Sequence, residues 1–336
     1  MNSIGIDLHR KSITLCVMSP ERQILSRQTF PCSVPGEIVE YVRRWTPFQA
    51  VIEATASYEW LYQLLEPLAG RMVLAHPGKL RIIAESTRKS DRLDAKILAE
   101  FLVLDMIPPA YRPSSREREH RRLVRHRIYL QARIKSFRCR IRSLLADYNI
   151  NRKDLFTLGG LGELKKVKLS GADRFVLDQL LDGWNYHCRL VKQLDDHLSK
   201  FAEKAGPAER EARQILTSIP GVGPVTIEVV ISELGNIRRF RSAKRVCAYA
   251  GLTPGQRESA GKRQELGITK AGSPRLRWVL VEAAWRLVRM TARWRSIFEA
   301  LARRRGKKRA IVAIARRLLC VMAAMLQSGK AYQMAA

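Results

Sequence analysis

The sequence predicts a mixed α/β domain, then a coiled-coil helical connector and a mainly helical C-terminal domain. Short apolar runs alternate with helical segments through the first third of the chain, which is typical of a layered α/β sheet. Two later segments carry apolar residues at alternating spacings of three and four, as paired long helices do. The C-terminal part combines glycine-bearing turns with several helical segments. The expected domains cover residues 1–110, 111–208 and 209–336.

The N-terminal domain is expected to have the element order β-β-β-α-β-α-β-α. Its strands are short runs rich in Ile, Val and Leu, and the last run is followed by Pro77 and Gly78, a turn signal. The predicted strands cover 3–8, 12–18, 22–30, 49–53 and 71–75, and the predicted helices cover 38–45, 58–68 and 91–104.

The connector is expected to contain two helices with one apolar seam each, from Leu130 to Leu144 and from Leu177 to Phe201. A glycine-rich break at 159–162 allows the helices to fold back antiparallel or to pair with another protomer, and the sequence leaves both open. His187 lies on the seam and is interpreted as a packed polar residue rather than a metal ligand.

The chain has 336 residues and a net charge of +30, from 61 Lys and Arg against 31 Asp and Glu. Residues 112–153 carry +11 and residues 275–317 carry +12, whereas the first 111 residues carry only +1. This excess excludes most ordinary metabolic enzymes and indicates a polyanionic partner. The six cysteines show no CxxC spacing, no signal peptide is recognisable, and Arg316 and Arg317 interrupt the longest apolar stretch. We therefore expect a cytoplasmic protein without a membrane span.

Four acids stand out in the neutral first third. Asp7 lies inside an apolar strand, Glu53 ends another strand, and Asp91 and Asp94 lie three apart on one helix face. An acid among Ile and Val is costly unless it is paired or binds a metal, and carboxylate oxygens suit Mg²⁺. Each acid alone could be a solvated residue or a helix cap. Their order, however, is the one in which ribonuclease H-like nucleases present their metal ligands.

Two C-terminal motifs suggest contact with nucleic acid. The segment LTSIPGVGPVT resembles a helix-hairpin-helix, in which Gly221 and Gly223 permit a tight turn that can hold a phosphate. A structural turn between two helices is the alternative. Ser259 lies in a polar loop with cationic neighbours but no adjacent base, so any activating base or metal must come from elsewhere.

The basic segments predict phosphate contacts, although each cation could instead be a solvated surface charge. The interleaved Trp278, Trp285 and Trp294 are interpreted as core residues rather than platforms for base stacking. The predicted nucleic-acid contacts are Arg121, Arg122, Arg125, Arg138, Arg142, Gly221, Gly223, Arg257, Lys262, Arg263, Lys270, Arg275, Arg277, Arg303, Arg304, Arg305, Lys307 and Lys308.

Several motifs together resemble the DEDD transposases of the insertion sequence one-hundred-and-ten family. They occur in that family's order and spacing over about residues 3–325. The motifs are GIDLHRK, VIEATASYEW, KSDRLDAKILAEF, IPGVGPVT, AYAGLTP and GITKAGSPRLRWVLVEAAW.

The resemblance implies a RuvC-like N-terminal domain in which Asp7, Glu53, Asp91 and Asp94 bind Mg²⁺, as a two-metal site that Mn²⁺ can also fill. It implies that Ser259 is the nucleophile of a site-specific recombinase that excises and inserts an element in double-stranded DNA. It further implies a guide RNA, a dimer through the coiled coil, and a tetramer in the synaptic complex. The serine of one subunit would then meet the carboxylates of another.

Two other functions stay open from the sequence. A RuvC-like nuclease that resolves DNA junctions would hydrolyse DNA with metal-bound water and would not need Ser259. A non-enzymatic helical nucleic-acid-binding protein would use the four acids only structurally, and the acids within apolar strands argue against it.

Overall fold

The computed structural model describes residues 1–55, 57–83, 91–259 and 262–333, and the chain forms two compact units. The first unit covers Met1–Arg112 and the second covers Pro113–Ala336. The prediction of a mixed α/β N-terminal part followed by a mainly helical part is confirmed. The finer division into three domains stays a prediction.

The first unit is built on a five-stranded sheet with the strand order β3-β2-β1-β4-β5. The first three strands are antiparallel, whereas β1, β4 and β5 run parallel. The strands are β1 (Asn2–Leu8), β2 (Ser12–Met18), β3 (Ile24–Pro31), β4 (Phe48–Glu53) and β5 (Arg71–Ala75). The helices are α1 (Pro35–Arg43), α2 (Tyr58–Leu65), α3 (Pro77–Ile83) and α4 (Asp91–Val103).

The two faces of the sheet are covered by different helices. Alternating residues such as Ile4 and Ile6 of β1 pack with α1 and α2. The opposite face packs against α4, which lies directly on β1. A Cβ added at Gly5 would lie 2.0 Å from the carbonyl oxygen of Ala95, so only glycine permits this approach.

Helix α3 differs from the sequence-based expectation of a simple turn after β5. Pro77 and Gly78 open this helix instead. Proline fits the first position of a helix because its missing N–H has no partner there in any case.

The second unit begins with a helical hairpin. Helix α5 (Ser115–Ala146) and helix α7 (Gly171–Glu203) pack antiparallel within one chain. Of the two arrangements that the sequence allows, the structure therefore has the one in which the helices fold back on each other. The antiparallel order follows from two contacts, Arg127 with Asp195 near one end and Tyr148 with Asp173 near the other. The expected glycine-rich break is itself helical, as α6 (Leu158–Leu164).

The rest of the second unit is a helical core with one β-hairpin. Its helices surround a continuous cluster of buried apolar residues. The elements are α8 (Pro207–Thr217), α9 (Pro224–Leu234), a 3-10 turn (Ile237–Arg239), α10 (Ala243–Tyr249), β6 (Pro254–Ser259), β7 (Lys262–Ile268), α11 (Pro274–Met290), α12 (Ala292–Arg305) and α13 (Lys307–Ser328).

Within the described residues, α13 is the one helix long and apolar enough to cross a membrane by length and composition. Half of its most apolar stretch is buried inside the fold. Its residues Ile314, Leu318 and Met322 have no exposed surface and belong to the core of the second unit. The core helix of a globular domain meets the same criteria.

Candidate functional site

Asp7 and Glu53 lie at neighbouring positions on one edge of the sheet. Strands β1 and β4 pair in parallel with Ile6 opposite Ile52, and each acid is the next residue along its strand. Residues two apart on a strand share a face, so Asp7 lies on the face of Gly5, which contacts α4. The same rule places Glu53 on the face of Val51, which packs with Leu98 of α4. Both acids therefore belong to the α4-covered face.

The first turn of α4 lies at this same edge. Ala95 and Ala99 lie over Gly5, whereas Glu100 reaches Arg22, 4.0 Å away. Arg22 follows β2, whose last residue pairs with the beginning of β1. Helix α4 therefore runs from the end of β1 towards its beginning, and Asp91 and Asp94 at the start of the helix lie at the end where Asp7 and Glu53 are. The side chain of Asp91 lies outside the described residues.

The acidic edge has the donor chemistry of a divalent-metal site. Asp7 is largely buried, its side chain is 15% exposed, and its Oδ2 lies 3.1 Å from Nε2 of His9. Carboxylate oxygens are hard ligands of the kind that Mg²⁺ and Mn²⁺ prefer. No three described His, Cys, Asp or Glu side chains converge into a cluster that could hold a metal ion, and the carboxylate of Asp91 is not among those described.

Ser259 ends strand β6 and is not part of an irregular loop as expected. Strands β6 and β7 form an antiparallel hairpin in which Ser259 pairs with Lys262. The backbone of Arg257 and Arg263 belongs to the same hairpin. The side chains of these four residues lie outside the described ones.

The glycine turn between α8 and α9 has a structural function. Gly221 has a φ of +77°, and a Cβ there would lie 2.9 Å from Cβ of Arg286 on α11. Gly223 is the N-cap residue of α9 and is more open, with Arg286 3.7 Å from its Cβ position. Close helix packing therefore explains Gly221 without a phosphate.

Three of the arginines that were predicted to contact DNA bind carbonyl or carboxylate groups within the second unit. Arg121 donates to the carbonyl oxygen of Ser232 at 3.0 Å, and Arg277 donates to that of Gly272. Arg125 makes a two-pronged ion pair with Glu233, at 2.9 and 3.0 Å. These contacts fix helices α5 and α11 to their neighbours.

Other predicted contacts do face solvent. Arg138 and Arg142 are exposed on α5 and also lie over the ring of Phe156. Lys270 is exposed, and Arg275 is half-buried. The remaining exposed members are Arg122, Arg303, Arg304, Arg305, Lys307 and Lys308.

Comparisons with known proteins follow the same two-part organisation. A DEDD transposase model of the IS110 group matches residues 4–150, and the model of the transposase IS116/IS110/IS902 family matches residues 213–299. The chain belongs to the IS110-family DEDD transposases. It is therefore an enzyme of a family that catalyses DNA cleavage and strand transfer, binds DNA, and depends on a divalent metal.

Similar proteins span nearly the whole transposase. The transposase of insertion sequence element IS1328 from Yersinia enterocolitica is 24% identical over 84% of this chain and 82% of its own length. A probable family 20 transposase from Pseudomonas aeruginosa is 22% identical over 99% of both chains. The pilin gene-inverting protein of Moraxella bovis is 22% identical over 98% of this chain and 97% of its own length.

An ionic network in the second unit of the transposase has no clear signal in the sequence. His120 of α5 contacts Glu228 of α9, and Arg213 of α8 binds Glu228 at 2.8 and 3.0 Å and Glu209 at 2.7 Å. Arg116 of α5 also binds Glu209 and lies over the ring of Phe201. His120 and Glu228 are 108 residues apart, so no local spacing predicts their contact.

The three tryptophans of the basic C-terminal segment are not all core residues. Trp294 is buried, and Trp285 packs against Phe298. The expectation was wrong for Trp278, whose surface is 48% exposed.

Proposed function

We propose that this transposase excises and inserts its element by Mg²⁺-dependent cleavage and rejoining of double-stranded DNA. Asp7, Glu53, Asp91 and Asp94 would hold the metal, and Ser259 would be the nucleophile. The observation that carries the metal site is the meeting of β1, β4 and the start of α4 at one edge. This arrangement also supports a RuvC-like description of the N-terminal unit.

The metal requirement follows from the charge of the site. Four carboxylates would repel DNA phosphates unless cations lie between them. When bound, one or two Mg²⁺ ions supply charge stabilisation to the oxygens of a reacting phosphate, and Mn²⁺ is a suitable substitute. The acids hold and orient that charge, and His9 positions the carboxylate of Asp7.

The covalent step assigned to Ser259 exchanges the DNA phosphodiester for a serine phosphodiester, so the energy of the bond is kept for rejoining. The serine oxygen would bond to phosphorus as one DNA end leaves with a free hydroxyl, and the reverse attack would rejoin a new end. A relative named as gene-inverting supports this kind of chemistry, because an inverted segment has to be rejoined at both ends. The hairpin that carries Ser259 also contains Arg257, Lys262 and Arg263, which suit contacts to phosphate.

The proposal includes a guide RNA and a dimer that forms a tetramer on the synapsed DNA. The net charge of +30 supports binding of two polyanions. The seam between α5 and α7 is filled within one chain, so a dimer through this coiled coil would use the outer faces of the hairpin.

The experiment is a strand-exchange assay on a plasmid carrying the element ends, with the element's flanking RNA. Ser259→Ala should abolish recombination and retain DNA binding, whereas Thr269→Ala, at an exposed position just after the hairpin, should behave as wild type. Cleavage that persists in Ser259→Ala would instead indicate a junction-resolving nuclease that uses water.

A further inference from the structure

A groove of about 770 Å³ separates the β6–β7 hairpin from helices α12 and α13. Its floor is apolar, with Leu252, Leu266 and Ile268 on the hairpin side and Val312 and Ala313 on α13. The volume falls within the ~300–1,000 Å³ typical of ligand-binding sites. The groove can therefore enclose a group the size of a nucleobase or two.

The wall that α13 contributes has a regular pattern. Lys308 and Arg309 are followed at helical spacing by the apolar pair Val312 and Ala313, and then by a second cationic pair, Arg316 and Arg317. The two cationic pairs lie eight residues apart, which is ~12 Å along a helix. An apolar site is thus flanked by positive charge on both sides.

The positive charge of the groove favours an anionic ligand. Five Lys and Arg residues line it, the fifth being Arg305, and no Asp or Glu lines it among the residues that the structure describes. A second copy of this chain also carries a net charge of +30, so these cations would repel it. A nucleic-acid strand offers phosphates to the cations, but only unpaired bases are available to the apolar floor.

The groove leads to the residue proposed as the nucleophile. Strand β6 contributes Pro254 and Gly255 to the groove and ends at Ser259. Gly255 and Ser259 are four positions apart on this strand, a distance of ~13 Å. A DNA strand lying in the groove would therefore extend to the hairpin end.

We propose that this groove binds an unpaired segment of the DNA strand that Ser259 attacks, with phosphates on the cations and bases on the apolar floor. The proposal rests on the proposed function for the identity of that strand. It adds a substrate requirement, because the DNA next to the cleavage site must open before it fits.

The chain offers a matched pair of variants for the test. Lys307 and Lys308 are adjacent, exposed, and both in the first turn of α13, but only Lys308 lines the groove. Glutamate is tolerated in the first turn of a helix, so Lys307→Glu and Lys308→Glu should fold equally well. Leu266→Ser tests the floor at a residue that is 47% exposed.

Fluorescence anisotropy on the full chain would compare a single-stranded DNA oligonucleotide, the same strand with abasic sites, its duplex, and the same sequence as RNA. We expect Lys308→Glu to weaken single-stranded DNA binding roughly tenfold more than Lys307→Glu does, with equal effects on the duplex. Wild type should prefer the strand with bases, and Leu266→Ser should lose that preference.

Equal effects of the two lysine variants, no preference for bases, or tighter binding of RNA than of DNA would each overturn the proposal. The same measurements in Ser259→Ala separate the two claims, because binding in the groove does not need the serine. If the Lys308 effect is missing while Ser259 still forms an adduct with DNA, the groove inference fails alone.

Discussion

Gly5 is the residue on which the geometry of the acidic edge depends. Its missing side chain lets α4 lie against β1, because a Cβ there would lie 2.0 Å and 2.4 Å from backbone atoms of Ala95 and Ala99. This contact sets the distance between the strand acids and the helix that carries Asp91 and Asp94. The sequence motif GID shows the glycine and the acid together, but only the packing gives the reason for the glycine.

Gly5→Ala should therefore destabilise the first unit, by about 1–3 kcal/mol or more, because an inserted methyl must push the helix from the sheet. DNA cleavage should fall with it. Urea unfolding of the full chain measures the effect. The control is Gly36→Ala, where nothing lies within 4 Å of the added Cβ, and equal stability of the two variants would refute the packing argument.

Asp7→Asn tests the proposed metal site without changing side-chain size. Removing one charged ligand should lower the Mg²⁺-dependent cleavage rate roughly 10²-fold or more and raise the Mg²⁺ concentration needed for half-maximal rate. DNA binding should not decrease. Asp105→Asn is the control, since that carboxylate is 78% exposed and forms a surface ion pair with Arg71. An unchanged metal dependence in Asp7→Asn would remove Asp7 from the site.

Among the elements, those with a regular apolar pattern could be predicted from sequence, and those held by distant partners could not. Strands β1, β2, β4 and β5 are short apolar runs, and the two long helices repeat apolar residues at spacings of three and four. The β6–β7 hairpin has no such pattern, because PGQRES and the first half of KRQELGI are polar in sequence and only Leu266 and Ile268 add apolar side chains. The sequence predicts that α4 is a helix, but it does not show in which direction α4 crosses the sheet or that it starts at the strand ends.

The network around Glu228 locks α5, α8 and α9 together and should make stability depend on pH. Burial raises the pKa of Glu228, but the hydrogen bonds and charges of His120 and Arg213 together outweigh it and lower the pKa from 4.5 to about 2. A lowered pKa stabilises the fold above the unfolded value, and that stabilisation is lost as the pH falls from about 4.5 through about 2. The shift corresponds to about 3 kcal/mol.

Glu228→Gln should remove this part of the acid dependence and destabilise the second unit at pH 7. Denaturant unfolding between pH 2 and 7 measures both effects. Glu163→Gln serves as the control, because its surface pair with Lys166 is exposed and contributes little. A wild-type acid profile in Glu228→Gln would show that another group governs acid unfolding.

Across the whole molecule, the cations behind the net charge of +30 form two groups: those that hold the fold together and those that are exposed to solvent. Arg121, Arg125 and Arg277 hold helices together, whereas the exposed cluster at 303–308 of α12 and α13 faces solvent. Net charge alone predicted a polyanionic partner, but it could not divide the arginines in this way. The division depends on carbonyl and carboxylate groups that are distant in sequence.

Replacing Arg303, Arg304 and Lys307 with alanine should weaken binding to all duplex sequences alike. The plot of log K against log salt should become less steep. Its negative slope should shrink in magnitude by roughly 0.9 for each DNA phosphate that the protein no longer neutralises. Stability should stay near that of wild type. Arg125→Ala is the contrasting variant, since it leaves Glu233 buried and without its cation and should cost about 3–5 kcal/mol in stability. Unchanged salt dependence in the triple variant would exclude this cluster from the interface.

The proposed reaction requires both the serine hairpin and the acidic edge. The most direct test incubates the full chain, its RNA and element-end DNA with Mg²⁺, traps the covalent adduct by denaturation, and identifies the DNA-linked peptide by mass spectrometry. We expect a phosphodiester on Ser259 that is absent without Mg²⁺ and formed roughly 10²-fold or more slowly in Asp7→Asn. Cleaved DNA with no attached protein, or an adduct on another residue, would contradict this expectation.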